Sequence, residues 1–314
     1  MSSTDNSTKY KEKTIILIRH GESTWNDTFN AGDRSKPLFV LFFIPNLIYA
    51  IIMEIYFFIA GQDFNSWFFD SALSSKGVSQ GEGLRKFLKK EKMRLGSNAS
   101  NVREDQAVKL LLAVGEESNP SSIVVSSNLR RAISTAAIGL ADRFIATTTS
   151  QNKTSKDDIL LLPCMQEISH NPDALTILPS QGIAHPTWCD EHIDGLPSGS
   201  FTSLVDTKYH MGNKSLKSNG LIRLNQFCVD LFDDTKLPKD TVICAGHSLF
   251  FRSFFQVFLP REFEHVSKKK KLVNGGTVMV TLREATLGSG KKEYMIDPKS
   301  IVVVYGGFGK HTKG

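Results

Sequence analysis

The sequence predicts an α/β protein of three layers, in which a mainly parallel central sheet is covered by helices on both faces. Short apolar runs alternate along the chain with segments of helical period, which is typical of that architecture. The chain has 314 residues, 40% of them hydrophobic, so it can bury a substantial core. We expect one domain over residues 14–314 and a disordered tail over residues 1–13.

The strands are predicted where an apolar run is short and is followed by polar or turn-forming residues. Each such run is too short for a core helix. Six runs meet these conditions: Thr14–Ile18, Ser122–Ser126, Ile159–Leu162, Thr241–Ala245, Thr277–Leu282 and Ile301–Tyr305.

Helices are predicted between these strands. Apolar residues recur at spacings of three and four from Leu129 to Phe144 and again from Leu221 to Phe232. Each segment can lay one apolar stripe on a face of the sheet. Cys228 and Cys244 fall on such apolar elements, so we expect both to be core thiols.

Polar stretches lie between the predicted strands and helices. Residues Ser97–Gln106 and Thr147–Asp158 are predicted to be surface loops. A longer irregular excursion over about residues 169–215 begins with a stretch rich in proline and glycine, and loops of that length are often functional lids. Its His185, Cys189 and His192 have some metal-ligand character, but their spacing matches no closed zinc pattern, so a substrate-facing lid is the preferred interpretation.

The amino-acid composition limits the kinds of partner that the protein is expected to bind. The net charge of +6 and the pI near 9.0 favour anionic partners. No basic-aromatic module indicates a nucleic-acid binder. The cysteines are few and scattered, and Met1–Lys13 lacks the apolar stretch of a signal peptide, which favours an intracellular, cytoplasmic protein.

The most informative segment follows the first predicted strand. Arg19, His20 and Gly21 stand where that buried strand should end, and ligands of open α/β sheets bind beyond the carboxyl ends of the strands. An imidazole beside a guanidinium offers a nucleophile and an anion clamp together, and the glycine lets the backbone approach a ligand closely. A phosphate-handling histidine is therefore expected here.

A second histidine repeats this layout. The apolar strand Thr241–Ala245 runs into Gly246, His247 and Ser248 and then into a Phe-rich segment. If the two strands are neighbours in the sheet, His247 can hydrogen-bond the oxygens of a phosphoryl group held at His20.

The string from Leu17 to Asn26, LIRHGESTWN, resembles the signature of the histidine phosphatase superfamily, which includes the cofactor-dependent phosphoglycerate mutases. Residues 127–136 are similar to that family's Ser-x-Leu-x-Arg-Ala-x-x-Thr-Ala pattern, and residues 70–77 to its D-x-x-LS-x-x-G segment. The resemblance implies a phosphoglycerate mutase-like fold.

The resemblance also implies roles for single residues. Aligned in this way, Arg131 is the phosphate-binding arginine and Arg130 its variable neighbour. Glu167, just after the strand Ile159–Leu162, stands where the family commonly carries its glutamate proton donor, and Asp173 is the nearest substitute. Ser23 and Asn26 match motif positions that can add hydrogen bonds to the phosphoryl group.

The chemistry expected from this set is a phosphohistidine cycle. A neutral imidazole on His20 attacks phosphorus in line, and the cationic Arg19 and Arg131 favour that neutral form while they bind the phosphoryl oxygens. A carboxylic acid on Glu167 protonates the leaving alkoxide and then activates the water that hydrolyses the phosphoenzyme. No metal or other cofactor is required.

The motifs identify the superfamily better than the activity. Phosphoglycerate mutases typically continue from the motif asparagine into a short loop and carry His-Gly-Asn at the second histidine, whereas this chain has a long insertion and then His247-Ser248. Both differences favour a phosphomonoesterase acting on a phosphate monoester. The alternatives are a mutase-type phosphotransferase and a non-catalytic phosphate-binding or membrane-docked interaction protein on the same fold.

The insertion over about residues 38–69 contains an almost uninterrupted apolar run, Leu38–Ala60, long enough to span a membrane. A single span would put His20 and His247 on opposite sides of the bilayer, so the run must return to the side from which it came. We expect an interfacial helix, a shallow hairpin turning at Pro45-Asn46, or a hydrophobic insert folded on the domain. In a peripheral or monotopic arrangement, the lysine run Lys268, Lys269, Lys270 and Lys271 would meet an anionic membrane surface.

Overall fold

The computed structural model describes residues 10–30, 34–62, 65–95, 102–149, 157–190, 193–215 and 219–309. Most of its strands form one sheet in the order β4-β3-β2-β5-β1-β7-β8, with β9 also paired to β7, and β10 pairs with β6 in a separate ribbon. The strands are β1 (Tyr10–Arg19), β2 (Ser122–Ser126), β3 (Ile159–Leu161), β4 (Val205–Asp206), β5 (Thr241–Gly246), β6 (Lys271–Leu272), β7 (Thr277–Thr286), β8 (Lys292–Ile296), β9 (Val302–Tyr305) and β10 (Phe308–Gly309).

The helices lie mainly between the strands in sequence, as a parallel sheet requires. They are α1 (Thr24–Phe29), α2 (Lys36–Ile59), α3 (Ser75–Arg94), α4 (Val102–Leu112), α5 (Arg130–Gly139), α6 (Ala141–Thr149), α7 (Ser200–Leu204), α8 (Gly220–Leu231), α9 (Ser248–Phe258) and α10 (Val266–Lys269). Short 3₁₀ turns occur at Pro163–Met165, Pro172–Ala174 and Pro298–Ser300.

The centre of the sheet is parallel and one side of it is antiparallel. β1 pairs in parallel with β5, β5 with β2, β2 with β3 and β3 with β4, while β7 runs antiparallel to β1. The fold class predicted from the sequence, a three-layer α/β/α arrangement around a mainly parallel sheet, is confirmed.

Two hydrophobic cores lie on opposite faces of the sheet. Ile16 and Ile18 of β1 point into a core built with α3, α4, α5 and α6, whereas Ile15 and Leu17 point into a core built with α8 and α9. All four side chains are fully buried. This explains why β1 is a continuous apolar run rather than an alternating one, because both of its faces are covered. Cys228 and Cys244 are buried in the second core, as expected.

Several predicted boundaries were wrong. β1 begins at Tyr10, inside the expected disordered tail, because residues 10–13 continue the antiparallel pairing with β7, and the buried Lys13 donates to the Leu237 carbonyl at 2.5 Å. The predicted helix Leu129–Phe144 is two helices that meet at Leu140. Residues 102–106 belong to α4 rather than to a loop, and residues 147–149 belong to α6. The remainder of the tail, residues 1–9, lies outside the described residues.

The segment after β1 approaches the start of α3 very closely. A Cβ atom added to Gly21 would lie 2.4 Å from the Gly77 carbonyl oxygen, and one added to Gly77 would lie 2.0 Å from that of Glu22. Backbone atoms occupy the space on both sides, so only glycine fits at either position. Gly77 is the glycine of the D-x-x-LS-x-x-G segment, and here it allows α3 to pack against the loop that carries His20.

The apolar insertion forms one helix. α2 runs from Lys36 through Pro45 to Ile59, so the hairpin turning at Pro45-Asn46 is wrong. Residues 65–69 then return along the helix: Trp67 packs on Tyr49 with ring centroids 5.4 Å apart, and its backbone N–H donates to Glu54 at 2.8 Å. Ala50 is the only buried residue of α2, so the helix lies against the domain without being enclosed by it.

The excursion after β3 is tied to the domain at several points. The Asp190 carboxylate accepts from the Ser134 hydroxyl of α5 at 2.7 Å, and the Thr176 hydroxyl donates to Asp70 at 2.9 Å. His192 lies outside the described residues. Among those that the structure describes, no group of His, Cys, Asp or Glu is arranged to hold a metal ion.

We predict that Gly77→Ala destabilises the protein by at least ~2 kcal/mol, because a backbone carbonyl stands where the new methyl group would be. Alanine otherwise favours a helix over glycine by about 1 kcal/mol. The matched control is Gly83→Ala in the same helix, where the new Cβ would meet the movable hydroxyl end of Tyr305 at 2.9 Å. Urea unfolding measures both variants, and equal stability of the two would contradict the close-approach argument.

Candidate active site

His20 lies directly after β1, buried to 3% exposure. Its Nδ1 is 2.5 Å from the Gly21 carbonyl oxygen, which can only accept, so Nδ1 carries the proton and Nε2 keeps a free lone pair. Nε2 has no hydrogen-bond partner among the described residues. Burial, followed by the charges of Arg131 and Arg19, holds the pKa of His20 well below its usual 6.5. The side chain is therefore a neutral imidazole at neutral pH.

His247 lies directly after β5, beside His20. The parallel register pairs Arg19 with Gly246, so the two histidines follow adjacent strands at the same level, and their ring centroids are 5.0 Å apart. The Nε2 of His247 shares a 2.8 Å hydrogen bond with the Ser127 hydroxyl. Its Nδ1 is buried and has no partner among the described residues. Burial and the charge of Arg131 also lower the pKa of this histidine well below 6.5.

Two arginines bring positive charge close to the two histidines. Arg19 is held by the Leu272 carbonyl, which accepts from Nη1 at 2.6 Å. Arg131, buried to 1% exposure, donates from Nη1 to the Asp173 carbonyl at 2.7 Å. The Nε of each guanidinium is buried and unpaired within the described part of the chain. Burial lowers the pKa of Arg19 to about 10, so it still carries its charge at neutral pH.

Arg130 faces the other way. Its backbone N–H donates to an Asp70 carboxylate oxygen at 2.8 Å, and its guanidinium donates to the carbonyls of Ser66, Phe69 and Asp70. Arg130 therefore fixes the segment that returns from the apolar insertion, and Arg131 is the arginine near the histidines. The role of Arg131 as the phosphate-binding arginine stays a prediction.

Glu167 is buried beside the same cluster. Its carboxylate accepts from the backbone N–H groups of Ile168, Leu249 and Phe250 at 2.8, 3.3 and 3.1 Å. The last two open α9, which begins directly after His247, so the carboxylate sits on the positive end of that helix. Asp173, the substitute proton donor, has one carboxylate oxygen 3.4 Å from Arg131 Nη2 and another that is buried without a partner among the described residues.

Ser23 and Asn26 have local contacts in this structure. The Ser23 hydroxyl accepts from the Asn26 backbone N–H at 3.2 Å and caps α1. The Asn26 side-chain oxygen accepts from Asn30 at 2.8 Å. Their predicted contact with a phosphoryl group stays a prediction.

Several residues of the site were missed by sequence reasoning. Lys214 donates to the carbonyls of Glu167 and Ser169, and burial lowers its pKa to about 8. Lys271, at the end of the lysine run, lies close enough to Arg19 for the two charges to repel. No sequence pattern marked Lys214, because it lies in the excursion, far from any motif in the chain.

The loop that carries His20 is held by two further side chains. Thr135 accepts from the Gly21 backbone N–H at 2.9 Å and donates to the Arg131 carbonyl at 2.7 Å. Asn274 donates to the His20 carbonyl at 3.0 Å. Thr135 is the threonine of the motif at residues 127–136. Its hydroxyl connects the segment that carries Arg19 and His20 to the segment that carries Arg131, which explains why the motif has a threonine at this position.

The arrangement has the groups needed to bind a phosphoryl group and to attack it. Two imidazoles whose pKa is lowered and two guanidinium groups lie together at buried positions, where electrostatic interactions are stronger than in water. The residues predicted from the sequence to be near one another, His20, His247, Arg19, Arg131 and Glu167, are brought together.

No family model and no curated protein matches the chain. Solved structures align with it over most of their length, including a mycobacterial hydrolase (12% identity, TM-score 0.36, covering 91% of this chain and 97% of that one). A second is a mycobacterial glucosyl-3-phosphoglycerate phosphatase (13% identity, TM-score 0.36, covering 91% of this chain and 97% of that one). A third is the product of an open reading frame of Mycobacterium tuberculosis (12% identity, TM-score 0.34, covering 90% of this chain and 95% of that one). In its motifs, the chain is similar to the histidine phosphatase superfamily.

The adjacent arginines make a matched pair for mutation. We expect Arg131→Met to lower kcat/KM for a phosphate monoester by about a hundredfold or more, because a charged donor is removed from the phosphoryl oxygens. Arg130→Met should instead destabilise the fold by ~3 kcal/mol or more, because it leaves the buried Asp70 without its ion pair.

The two effects are separated by measuring kcat/KM per folded molecule together with urea unfolding. For Arg130→Met, kcat/KM per folded molecule should stay within about tenfold of the wild type. A catalytic loss in Arg130→Met that matches the loss in Arg131→Met would overturn the assignment.

Proposed function

We propose that the protein is a phosphomonoester hydrolase that works through a phosphohistidine intermediate on His20. The observation that carries this proposal is the environment of His20. Its Nδ1 lies 2.5 Å from the Gly21 carbonyl oxygen, burial and the charges of Arg131 and Arg19 lower the pKa of the ring, and Nε2 is left with a lone pair for attack.

The first step is attack of His20 Nε2 on phosphorus. The N–P bond forms as the ester P–O bond breaks, with the nucleophile and the leaving oxygen in line. Arg19 and Arg131 neutralise charge on the equatorial oxygens. His247 is 5.0 Å from His20 by ring centroids, so it is placed to hydrogen-bond the same group, and Ser127 holds its ring.

The leaving oxygen departs as an alkoxide unless it is protonated. Glu167 is our candidate for the proton donor because of its position: its buried carboxyl group accepts from the backbone N–H groups of Leu249 and Phe250, which follow His247. The negative charge of a bound phosphate dianion favours the protonated form of a nearby carboxyl group. In the second step the same carboxylate accepts a proton from water, which attacks phosphorus and releases inorganic phosphate and free His20.

The proposed reaction needs no metal ion. Arginine side chains supply the positive charge on the phosphoryl oxygens, and a histidine supplies the nucleophile. The substrate is a phosphate monoester, and the position of the phosphoryl group does not identify the rest of that molecule.

A mutase would pass through the same phosphohistidine and return the phosphoryl group to a second hydroxyl. The long insertion between the two motif segments and Ser248 after the second histidine favour hydrolysis over that transfer. A panel of phosphate monoesters that includes glycerate phosphates distinguishes the two, because net transfer without release of phosphate would identify a mutase.

We expect His20→Ala to lose at least about a thousandfold in kcat on an aryl phosphate, because no other group replaces the nucleophile. Rapid acid-free quenching of the wild type with radiolabelled substrate should trap an acid-labile, base-stable phosphoprotein, which the variant should not form. Binding of inorganic phosphate by the variant reports whether the pocket is intact. Equal rates for wild type and variant would leave only a phosphate-binding role.

The role of Glu167 can be tested by changing the leaving group. In the first turnover, Glu167→Gln should slow release of an alkyl leaving group by about 10²–10⁴-fold, but release of p-nitrophenolate far less, because nitrophenolate leaves without a proton. Asp173→Asn is the control, with similar losses on both substrates. The reverse pattern would make Asp173 the donor and leave Glu167 as the group that caps α9.

A further inference from the structure

The helix α2 contacts the rest of the protein along one narrow stripe. Its half-buried and buried residues recur at spacings of three and four and end at Phe57. They are Phe39, Phe43, Asn46, Leu47, Ala50, Met53, Glu54 and Phe57. The other sides of the helix are exposed, although they are just as apolar: Val40 is 70% exposed, Phe58 76% and Ile59 78%.

The exposed sides carry no charge beyond the first residue of the helix. Between Pro37 and Ile59 there is no Asp, Lys, Arg or His and a single Glu, Glu54, which is turned toward the domain. Its two carboxylate oxygens accept from the Ser66 hydroxyl at 2.7 Å and from the Trp67 backbone N–H at 2.8 Å. The one group that would be costly to remove from water is therefore satisfied by the protein itself.

A helix that is apolar on every side is normally buried in a core or in a bilayer. By length and composition, α2 is the one helix in the described chain that could cross a membrane. A core helix would pass the same test, but only 6% of the most apolar stretch of α2 is buried. A leader segment would also pass, but α2 follows β1, the strand that carries His20.

The chain on either side of α2 excludes a single crossing of the bilayer. Ser23 and Leu73 form a β-bridge, and the Thr24 backbone N–H donates to the Ala72 carbonyl at 3.0 Å, so the insertion starts and ends at neighbouring points of one domain. The stripe that touches the domain runs from Phe39 to Phe57, so the helix lies along the domain surface. An apolar helix held in this way can enter a bilayer only sideways.

We propose that α2 lies in the plane of a lipid bilayer, with its exposed sides among the acyl chains next to the headgroups, and anchors the protein monotopically. Lipid fits better than a second copy of the chain, because one partner surface would cover one further side of the helix, whereas lipid surrounds all the sides that the domain leaves open. At 1.5 Å per residue the helix is about 36 Å long, which gives a large apolar contact area.

The lysine run has a smaller part in this anchor than the sequence suggested. Lys268 donates to the Pro260 carbonyl at 2.7 Å and Lys269 pairs with Glu264 at 2.6 Å. Lys271 is half-buried near Arg19. Membrane binding is therefore driven by apolar contact, and neutral lipid should suffice.

The anchor is joined to the candidate active site through α1. Phe29 of α1 packs on Phe43 of α2 with centroids 6.3 Å apart and on Trp25 at 4.2 Å, and Trp25 lies in the motif that contains His20. The return segment after α2 ends at Asp70, which is paired with Arg130. Catalysis by a protein anchored in this way takes place close to the membrane surface.

Flotation of the full-length protein with vesicles tests the proposal. The variant Ile48→Asp/Ile55→Asp places two carboxylates on exposed sides of α2, where both side chains are more than half exposed and their loss should not disturb packing. The control, Leu221→Asp/Ile222→Asp, makes the same change at two exposed apolar positions of α8. Thermal unfolding and hydrolysis of a soluble aryl phosphate report whether each variant is folded.

We expect wild type and the α8 control to float with phosphatidylcholine vesicles, and the α2 variant to partition at least about tenfold less. Raising the salt concentration should change little, since the contact is apolar. Three results would overturn the proposal: no flotation of the wild type, equal flotation of all three proteins, or flotation that requires anionic lipid and is lost in salt. A soluble wild-type dimer that the α2 substitutions dissociate would also overturn it, and would identify a second copy as the partner.

Discussion

The parallel pairing of β1 with β5 is the constraint on which the site depends. Their register sets Arg19 opposite Gly246, so His20 and His247 follow two adjacent strands at the same level. A register shifted by one residue would turn His20 toward the opposite face of the sheet. Ile15, Ile16, Leu17 and Ile18 are fully buried and alternate between two packed cores, so such a shift would require both cores to repack. Core packing therefore sets the geometry of the two imidazoles.

Burial then determines the electrostatics of the two histidines. Desolvation and the nearby arginine charges both disfavour an imidazolium ion, so the pKa of each ring lies well below its usual value. The same burial removes the guanidinium groups of Arg19 and Arg131 from water. Backbone carbonyl groups replace part of the hydration that these guanidinium groups lose. The Leu272 carbonyl accepts from Arg19, and the Asp173 carbonyl accepts from Arg131. Among the described residues, the Nε atoms of these two arginines have no hydrogen-bond partner.

The parts of the molecule that depend on local sequence pattern could be predicted from the sequence. The buried strands were predicted because parallel strands covered on both faces are short continuous apolar runs, and the residues at their ends then defined most of the site. β4, β6, β8 and β10 were missed, because three of them have only two residues and β8 is mostly exposed, with no apolar run. Lys214 and the cap formed by Glu167 on α9 depend on how distant segments meet, and a single sequence does not contain that information.

For the apolar insertion too, some features could be predicted from the sequence pattern and others depend on the tertiary structure. Its composition and the need to keep His20 and His247 on one side were sufficient to exclude a span. Composition could not distinguish a hairpin, a buried insert and a surface helix, because all three are apolar over the same residues. The structure separates them through Glu54: a carboxylate turned inward and bonded to Ser66 and Trp67 fixes which side of one continuous helix faces the protein. The sides that remain are uncharged and exposed, and this asymmetry, rather than hydrophobicity alone, is the physical basis for assigning them to lipid.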